Sequence, residues 1–105
     1  MHVLIITFGL EGIGEEDYLE QVESIAPAFA DMPGLVSKTW LANETTNTYG
    51  GFYVWQDREA MEAYKETDIY RGLMANPHFG GVSVRDFAVL EGPTRLTRGF
   101  EAATV

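Results

Sequence analysis

The sequence predicts an α+β chain in the order β-α-β-β-α-β, with four strands in one antiparallel sheet. Three observations lead there. A β-rich start, His2 to Phe8, is followed by apolar residues at helical spacing: Leu19, Val22, Ile25, Ala26 and Phe29. Two strand-like runs, about Leu35 to Ala42 and about Thr48 to Gln56, flank the polar hairpin loop Asn43 to Asn47. A second helical stretch and a last strand, Val82 to Leu90, complete the order.

Each element has local causes. Val3 and Ile5 alternate with Leu4, Ile6 and Phe8, so the first strand is apolar on both faces, as a strand covered on two sides reads. Gly9 to Gly14 is a turn with three glycines; Glu15, Glu16 and Asp17 then set acid at a helix N-terminus, where the helix dipole favours it. Pro27 predicts a kink or restart in that helix. Met32-Pro33-Gly34 ends it. Gly50-Gly51 in the third strand marks a bulge or a close approach. Asp57 is placed to cap a second helix carrying Ala60, Met61 and Tyr64. Thr67-Asp68 breaks that helix, and a second short segment with Ile69, Tyr70, Leu73 and Met74 runs on to Asn76-Pro77. Residues 91–105 read as an extended C-terminal tail rather than a regular element.

Composition narrows the function. A chain of 105 residues, 46% hydrophobic, is expected to form a single domain, 1–105, with a modest core. Its net charge of −9 argues against nucleic acid and against an anionic membrane surface. No apolar run approaches the roughly 20 residues of a spanning helix. The start, Met1-His2-Val3-Leu4, lacks the basic region of a signal peptide, and a cytoplasmic protein is expected. Absence of cysteine removes disulfide and thiolate chemistry. Two histidines without a clustered acid or H-x-x-x-H motif give no metal site.

Alternation puts Lys38 and Trp40 on one face of the second strand, and Tyr49, Gly51, Tyr53 and Trp55 on one face of the third. Aromatics around a glycine gap would suit a flat ligand. The order of elements is the split βαβ of ferredoxin-like folds. Both helices then cover one sheet face, yet the strands are apolar on both. A bare apolar face is an aggregation liability, and the economical cover is a second copy, giving a symmetric homodimer closed like a barrel.

Pro33-Gly34-Leu35 leading to Lys38-x-Trp40, then Tyr49-Gly50-Gly51-x-Tyr53-x-Trp55-x-Asp57-Arg58-Glu59-Ala60, resembles the YdhR-like monooxygenase family. Asn76-Pro77-x-Phe79, Val84-Arg85-Asp86-Phe87 and Pro93-Thr94-x-x-Thr97-Arg98-Gly99 extend the likeness over nearly the whole chain. The resemblance implies the dimeric α+β barrel superfamily, which holds antibiotic biosynthesis monooxygenases and haem-degrading monooxygenases. The former work without metal or flavin on polycyclic phenols that themselves reduce dioxygen. Trp55 falls where those enzymes place a pocket tryptophan; two residues earlier, often a carboxylate in relatives, stands Tyr53. The haem-degrading branch has an iron-ligating histidine where this chain reads Tyr64-Lys65, and its first-strand asparagine has no counterpart nearer than Thr7. No cofactor is therefore expected.

Candidate roles follow. Trp55, Tyr53, His78 and Arg85 form the catalytic set; Lys38, Trp40, Tyr49, Tyr64 and Phe79 form the substrate-binding set. Indole and phenol rings stack on planar ligands, and serve equally as barrel core or dimer interface. Lys38 either stabilises a phenolate or peroxide anion or snorkels to the rim. His78 is the natural general base near neutrality, or a surface residue of its loop. Arg85 and Asp86 point to opposite faces; Arg85 would offset oxyanion charge or make a structural ion pair. The expected pocket lies between the sheet and the second helix. The expected activity is cofactor-independent oxygenation of an aromatic or polyketide-like phenol, with the homodimer, dioxygen and a small aromatic substrate as partners. Two rivals stay open: a non-oxidative lyase, isomerase or cyclase on the same fold, and a non-catalytic ligand-binding or stress-response protein.

Overall fold

A computed structural model describes residues 1–99. Strands β1 (His2–Leu10), β2 (Leu35–Asn43), β3 (Thr48–Trp55) and β4 (Phe79–Ala88) form one antiparallel sheet in the order β2-β3-β1-β4. Helix α1 (Glu15–Ala30) joins β1 to β2; α2 (Arg58–Tyr64) and α3 (Asp68–Ala75) join β3 to β4. This is the ferredoxin-like α+β arrangement, and pairing β1 between β3 and β4 is what makes the two halves share one core.

Register decides which side chains meet, because residues paired across strands share a face. Leu4 pairs with Tyr53, which pairs with Lys38; Ile6 pairs with Gly51, which pairs with Trp40; Phe8 pairs with Tyr49. The face so defined receives all three helices: Tyr18 and Phe29 of α1, Met61 and Tyr64 of α2, and Ile69 and Leu73 of α3 join Leu4, Ile6 and Phe8 in one core. The other face carries Ile5, Phe52, Thr39 and Arg85 in one row, and Val3, Val54 and Phe87 in the next.

Four expectations change. Helix α1 runs unbroken through Pro27, although the ring removes the N–H that the Glu23 carbonyl would accept. Its inward stripe is Tyr18, Val22, Ile25 and Phe29, spaced four, three and four residues; Leu19, a hundred degrees round, is 47% exposed. Strand β4 begins at Phe79, before the expected Val82, because the backbone pairs Phe79 with Leu10 and Gly80 with Gly9. Finally, the stretch read as an irregular tail opens with a short helix, α4 (Glu91–Leu96). Pro93 falls in its first turn, where a missing N–H costs nothing, with Glu91 at the positive end and Arg95 at the negative end. The remainder of that tail, residues 100–105, lies outside the described residues.

The breaks between helices were legible. Asp57 accepts the Ala60 N–H at 2.8 Å and caps α2. Thr67 donates its hydroxyl to the Tyr64 carbonyl at 2.7 Å and accepts the Tyr70 N–H at 3.2 Å, ending α2 and starting α3 within three residues. Among the described residues, no helix is long and apolar enough to cross a membrane.

Candidate active site

A cavity of about 390 Å³ opens on the helix-covered face of the sheet. Its floor is β2 and β3, with Lys38, Trp40, Gly51 and Tyr53; its sides are α1, through Tyr18 and Phe29, and α3, through Ile69 and Leu73. The helical wall is α1 and α3, where the pocket was expected against the first helix segment after β3; α2 instead packs solidly, with Met61 0% and Tyr64 1% exposed.

Lys38 is the centre of the cavity's chemistry. Its Nζ lies 3.4 Å from the centroid of the Phe29 ring, 3.4 Å from that of Trp40 and 4.4 Å from that of Tyr53. Among the described residues no carboxylate is within ion-pairing distance of it. Burial therefore lowers its pKa from 10.5 to about 7, while the electron-rich ring faces favour the ammonium and oppose that fall. Gly51 makes the arrangement sterically open. A Cβ there would sit 2.8 Å from Lys38 Cε and 3.0 Å from Tyr53 Cε1. The glycine gap among the aromatics thus seats the lysine stem, where a flat ligand was expected. Its neighbour Gly50 is needed for a different reason: at φ +155° it lets β3 approach β1 so closely that a Cβ would run into the Ile6 carbonyl.

Of the nine residues singled out in the sequence, Lys38, Trp40, Tyr53 and Phe79 line the cavity together. Trp55 lies under them, fully buried, stacked on Tyr53 at 6.1 Å and 8°. Its indole Nε1 has no hydrogen-bond partner among the described residues. Tyr64 is equally buried; its hydroxyl and that of Tyr53 share a hydrogen bond at 3.2 Å. Burial pushes Tyr64 up to about 12 and Tyr53 further, with the Tyr64 neighbour adding to it, so both phenols stay protonated at neutral pH and neither is a base. Tyr49 donates its hydroxyl to Glu15 Oε1 at 2.9 Å and packs edge-on against Tyr18 at 5.3 Å, outside the lining.

Two candidates lie elsewhere. His78 Nδ1 donates to the Glu11 carbonyl at 2.8 Å, tying the loop before β4 to the turn after β1, and the ring does not line the cavity although Asn76 and Phe79 on either side do. Arg85 is exposed on the opposite face of the sheet, its guanidinium 5.3 Å from the Phe87 ring centroid; the sheet separates it from the cavity. Its neighbour Asp86, on the covered face, accepts from His2 Nε2 at 2.7 Å. Conversely, Phe29, Ile25 and Val22 of the apolar stripe on α1 line the cavity. A cavity wall and a packed core produce the same apolar helical stripe, so periodicity carried no signal to separate them.

The donor set limits what the cavity can hold. Its walls contain no histidine, cysteine or methionine, and the chemistry of an iron porphyrin's axial ligand is not met by a caged lysine and a high-pKa phenol. Among the described residues there is no group of three His, Cys, Asp or Glu side chains that could hold a metal ion.

Fold and cavity together define an α+β protein of the ferredoxin-like class with an aromatic, lysine-bearing cavity. The chain belongs to the family described as "Putative mono-oxygenase ydhR", which matches residues 3–100. No curated protein matches it. Among solved structures it is similar to a protein of unknown function from Nitrosomonas europaea, with 18% identity, a TM-score of 0.72, and coverage of 87% of this chain and 90% of the other. It is also similar to SnoaB, a cofactor-independent oxygenase from Streptomyces nogalater, with 20% identity, a TM-score of 0.69, and coverage of 86% and 93%. A third likeness is to the heme-degrader MhuD from Mycobacterium tuberculosis, solved with two hemes in its active site, with 20% identity, a TM-score of 0.68, and coverage of 86% and 96%. At these identities the likeness is one of fold.

Proposed function

We propose that this chain is a cofactor-independent monooxygenase acting on a planar, phenol-bearing aromatic in the cavity between the sheet and helices α1 and α3. One observation carries the reading: an amine with no acidic partner stands among three aromatic rings in a mostly apolar cavity. At neutral pH such an amine takes a proton from a bound phenol, and the resulting ammonium holds the phenolate against it. The apolar and aromatic lining of the cavity packs against the substrate ring. The electron-rich anion then reduces dioxygen. For a ring CH₂ conjugated to the phenol, four electrons leave the carbon as it becomes a carbonyl; one oxygen atom stays there and the other leaves as water. The substrate is its own reductant, and no bound cofactor enters.

A second copy of the chain completes the proposal, covering the sheet face that α1, α2 and α3 leave open. Ile5, Leu41 and Phe52 lie half-buried there, and Phe87 is 44% exposed. Elution as a monomer at micromolar concentration would contradict it. For the chemistry, turnover of a hydroxylated anthrone under ¹⁸O-labelled dioxygen should give product with one labelled oxygen. Conversion of the same substrate without dioxygen would favour the lyase, isomerase or cyclase reading. Tight binding with no chemical change in air would make this a binding protein.

A further inference from the structure

The chain has two lysines, Lys38 and Lys65. Lys38 alone lines the cavity, its stem laid across Gly51 and its nitrogen among the Phe29, Trp40 and Tyr53 rings. The one carboxylate in the wall, Asp68, is engaged by Arg71 at 3.1 Å. Burial lowers the Lys38 pKa from 10.5 to about 7, which favours the free amine near neutral pH. A desolvated amine facing an apolar cavity is the arrangement that attacks carbonyl carbon. The oxygenase reading uses this amine only as a base and counter-ion.

We infer that Lys38 captures a planar aromatic aldehyde or ketone in this cavity as a reversible imine, an activity that needs no dioxygen. The nitrogen adds to the carbonyl carbon and the carbonyl oxygen takes up a proton, giving a carbinolamine. That hydroxyl then leaves with a proton as water while the nitrogen lone pair forms the C=N bond. No electrons are gained or lost, and no co-reactant is needed. The cage favours the adduct as well as the free amine. A protonated imine keeps a cation where the ammonium stood, so the same ring faces stabilise it, and the aromatic part of the ligand has the apolar remainder of the lining, Val22, Ile25, Ile69 and Leu73, to pack against.

The groups facing Lys38 set the pH dependence. Helix α1 presents Tyr18, raised to about 12 by burial and by its Tyr49 neighbour, and β3 presents Tyr53, also held protonated. Helix α3 presents Asp68, already paired with Arg71, while β1 and β4 contribute only the uncharged Phe8 and Phe79. Capture should therefore rise from pH 6 to pH 8 as Lys38 itself loses its proton.

The test uses the full chain under nitrogen with 2-naphthaldehyde, followed by sodium cyanoborohydride and peptide mapping by mass spectrometry. The expected result is one naphthylmethyl group on Lys38 at pH 7, at least about tenfold above Lys65 as the internal control, increasing between pH 6 and pH 8. The non-carbonyl analogue 2-naphthol should suppress labelling of Lys38 and leave that of Lys65 unchanged, a control that needs no substitution. Lys38→Arg should abolish labelling in the cavity. Equal labelling of the two lysines, an unlabelled Lys38, or labelling indifferent to 2-naphthol would each overturn the inference. None of these outcomes depends on whether the chain consumes dioxygen.

Discussion

The two faces of this sheet are built from the same strands and nearly the same apolar content, yet they have different fates. On the covered face, Leu4, Ile6, Tyr53 and Trp55 are at most 1% exposed, and the space the helices leave over Lys38 and Trp40 becomes a cavity. On the other, Val3 and Val54 are buried at one end, while Phe87 remains 44% exposed and Arg85 is free in solvent. Large rings next to glycines make the first face a container; the second, with Ile5, Phe52, Phe87 and one arginine, is left uncovered by the helices. Apolar character alone does not distinguish the two faces. What distinguishes them is an amine on the covered face with no acid to answer it.

Substitutions on either face test that contrast. Trp55→Ala removes a fully buried indole and should cost about 3–5 kcal/mol in urea unfolding; a cost below about 1 kcal/mol would mean the covered face is not close-packed beneath the cavity. Lys38→Met should change stability the other way. The unfolded chain keeps the lysine proton up to about pH 10.5 and the folded chain releases it near 7, so between these values the unfolded state holds more protons and wild-type stability rises with pH. The methionine variant should lose that rise and be more stable than wild type by about 1–2 kcal/mol at pH 6, the ring faces having offset part of the burial cost. Parallel stability curves for the two proteins would refute the caged-amine description. Tyr53→Phe breaks the hydroxyl pair with Tyr64 and should cost about 1 kcal/mol in the same assay. Arg85→Ala lies across the sheet from the cavity, and turnover should change less than about threefold. A large loss of kcat there would move the site to the other face.

Much of the architecture was readable because its signals are local. Asp57 and Thr67 cap helices by hydrogen bonds that span three residues, and Gly50-Gly51 announces a close approach within the strand that carries it. The site was only partly readable because its signals are not local. Lys38 and Trp40 share a face by alternation, but Phe29 completes their cage from an element that reads as plain amphipathic helix. Arg85 and Asp86 clearly point to opposite sides; which side holds the cavity is set by the helix crossovers, and strand patterns that are apolar on both faces do not encode it. His78 looked like a base because of its type, and its Nδ1 proves to be spent on the Glu11 carbonyl. The helix at Glu91–Leu96 was hidden by Gly92-Pro93, residues that punctuate chains more often than they open a helix.

In the proposed reaction Lys38, inside the covered face, drives oxygenation by the substrate's own electrons. This role is tested most directly by dioxygen uptake with a hydroxylated anthrone in metal-free and flavin-free protein, comparing wild type with Lys38→Met. The expected result is substrate-dependent uptake in the wild type and a fall of kcat by about 10²-fold or more in the variant, the size of a lost general base. Equal uptake by both proteins would contradict the account.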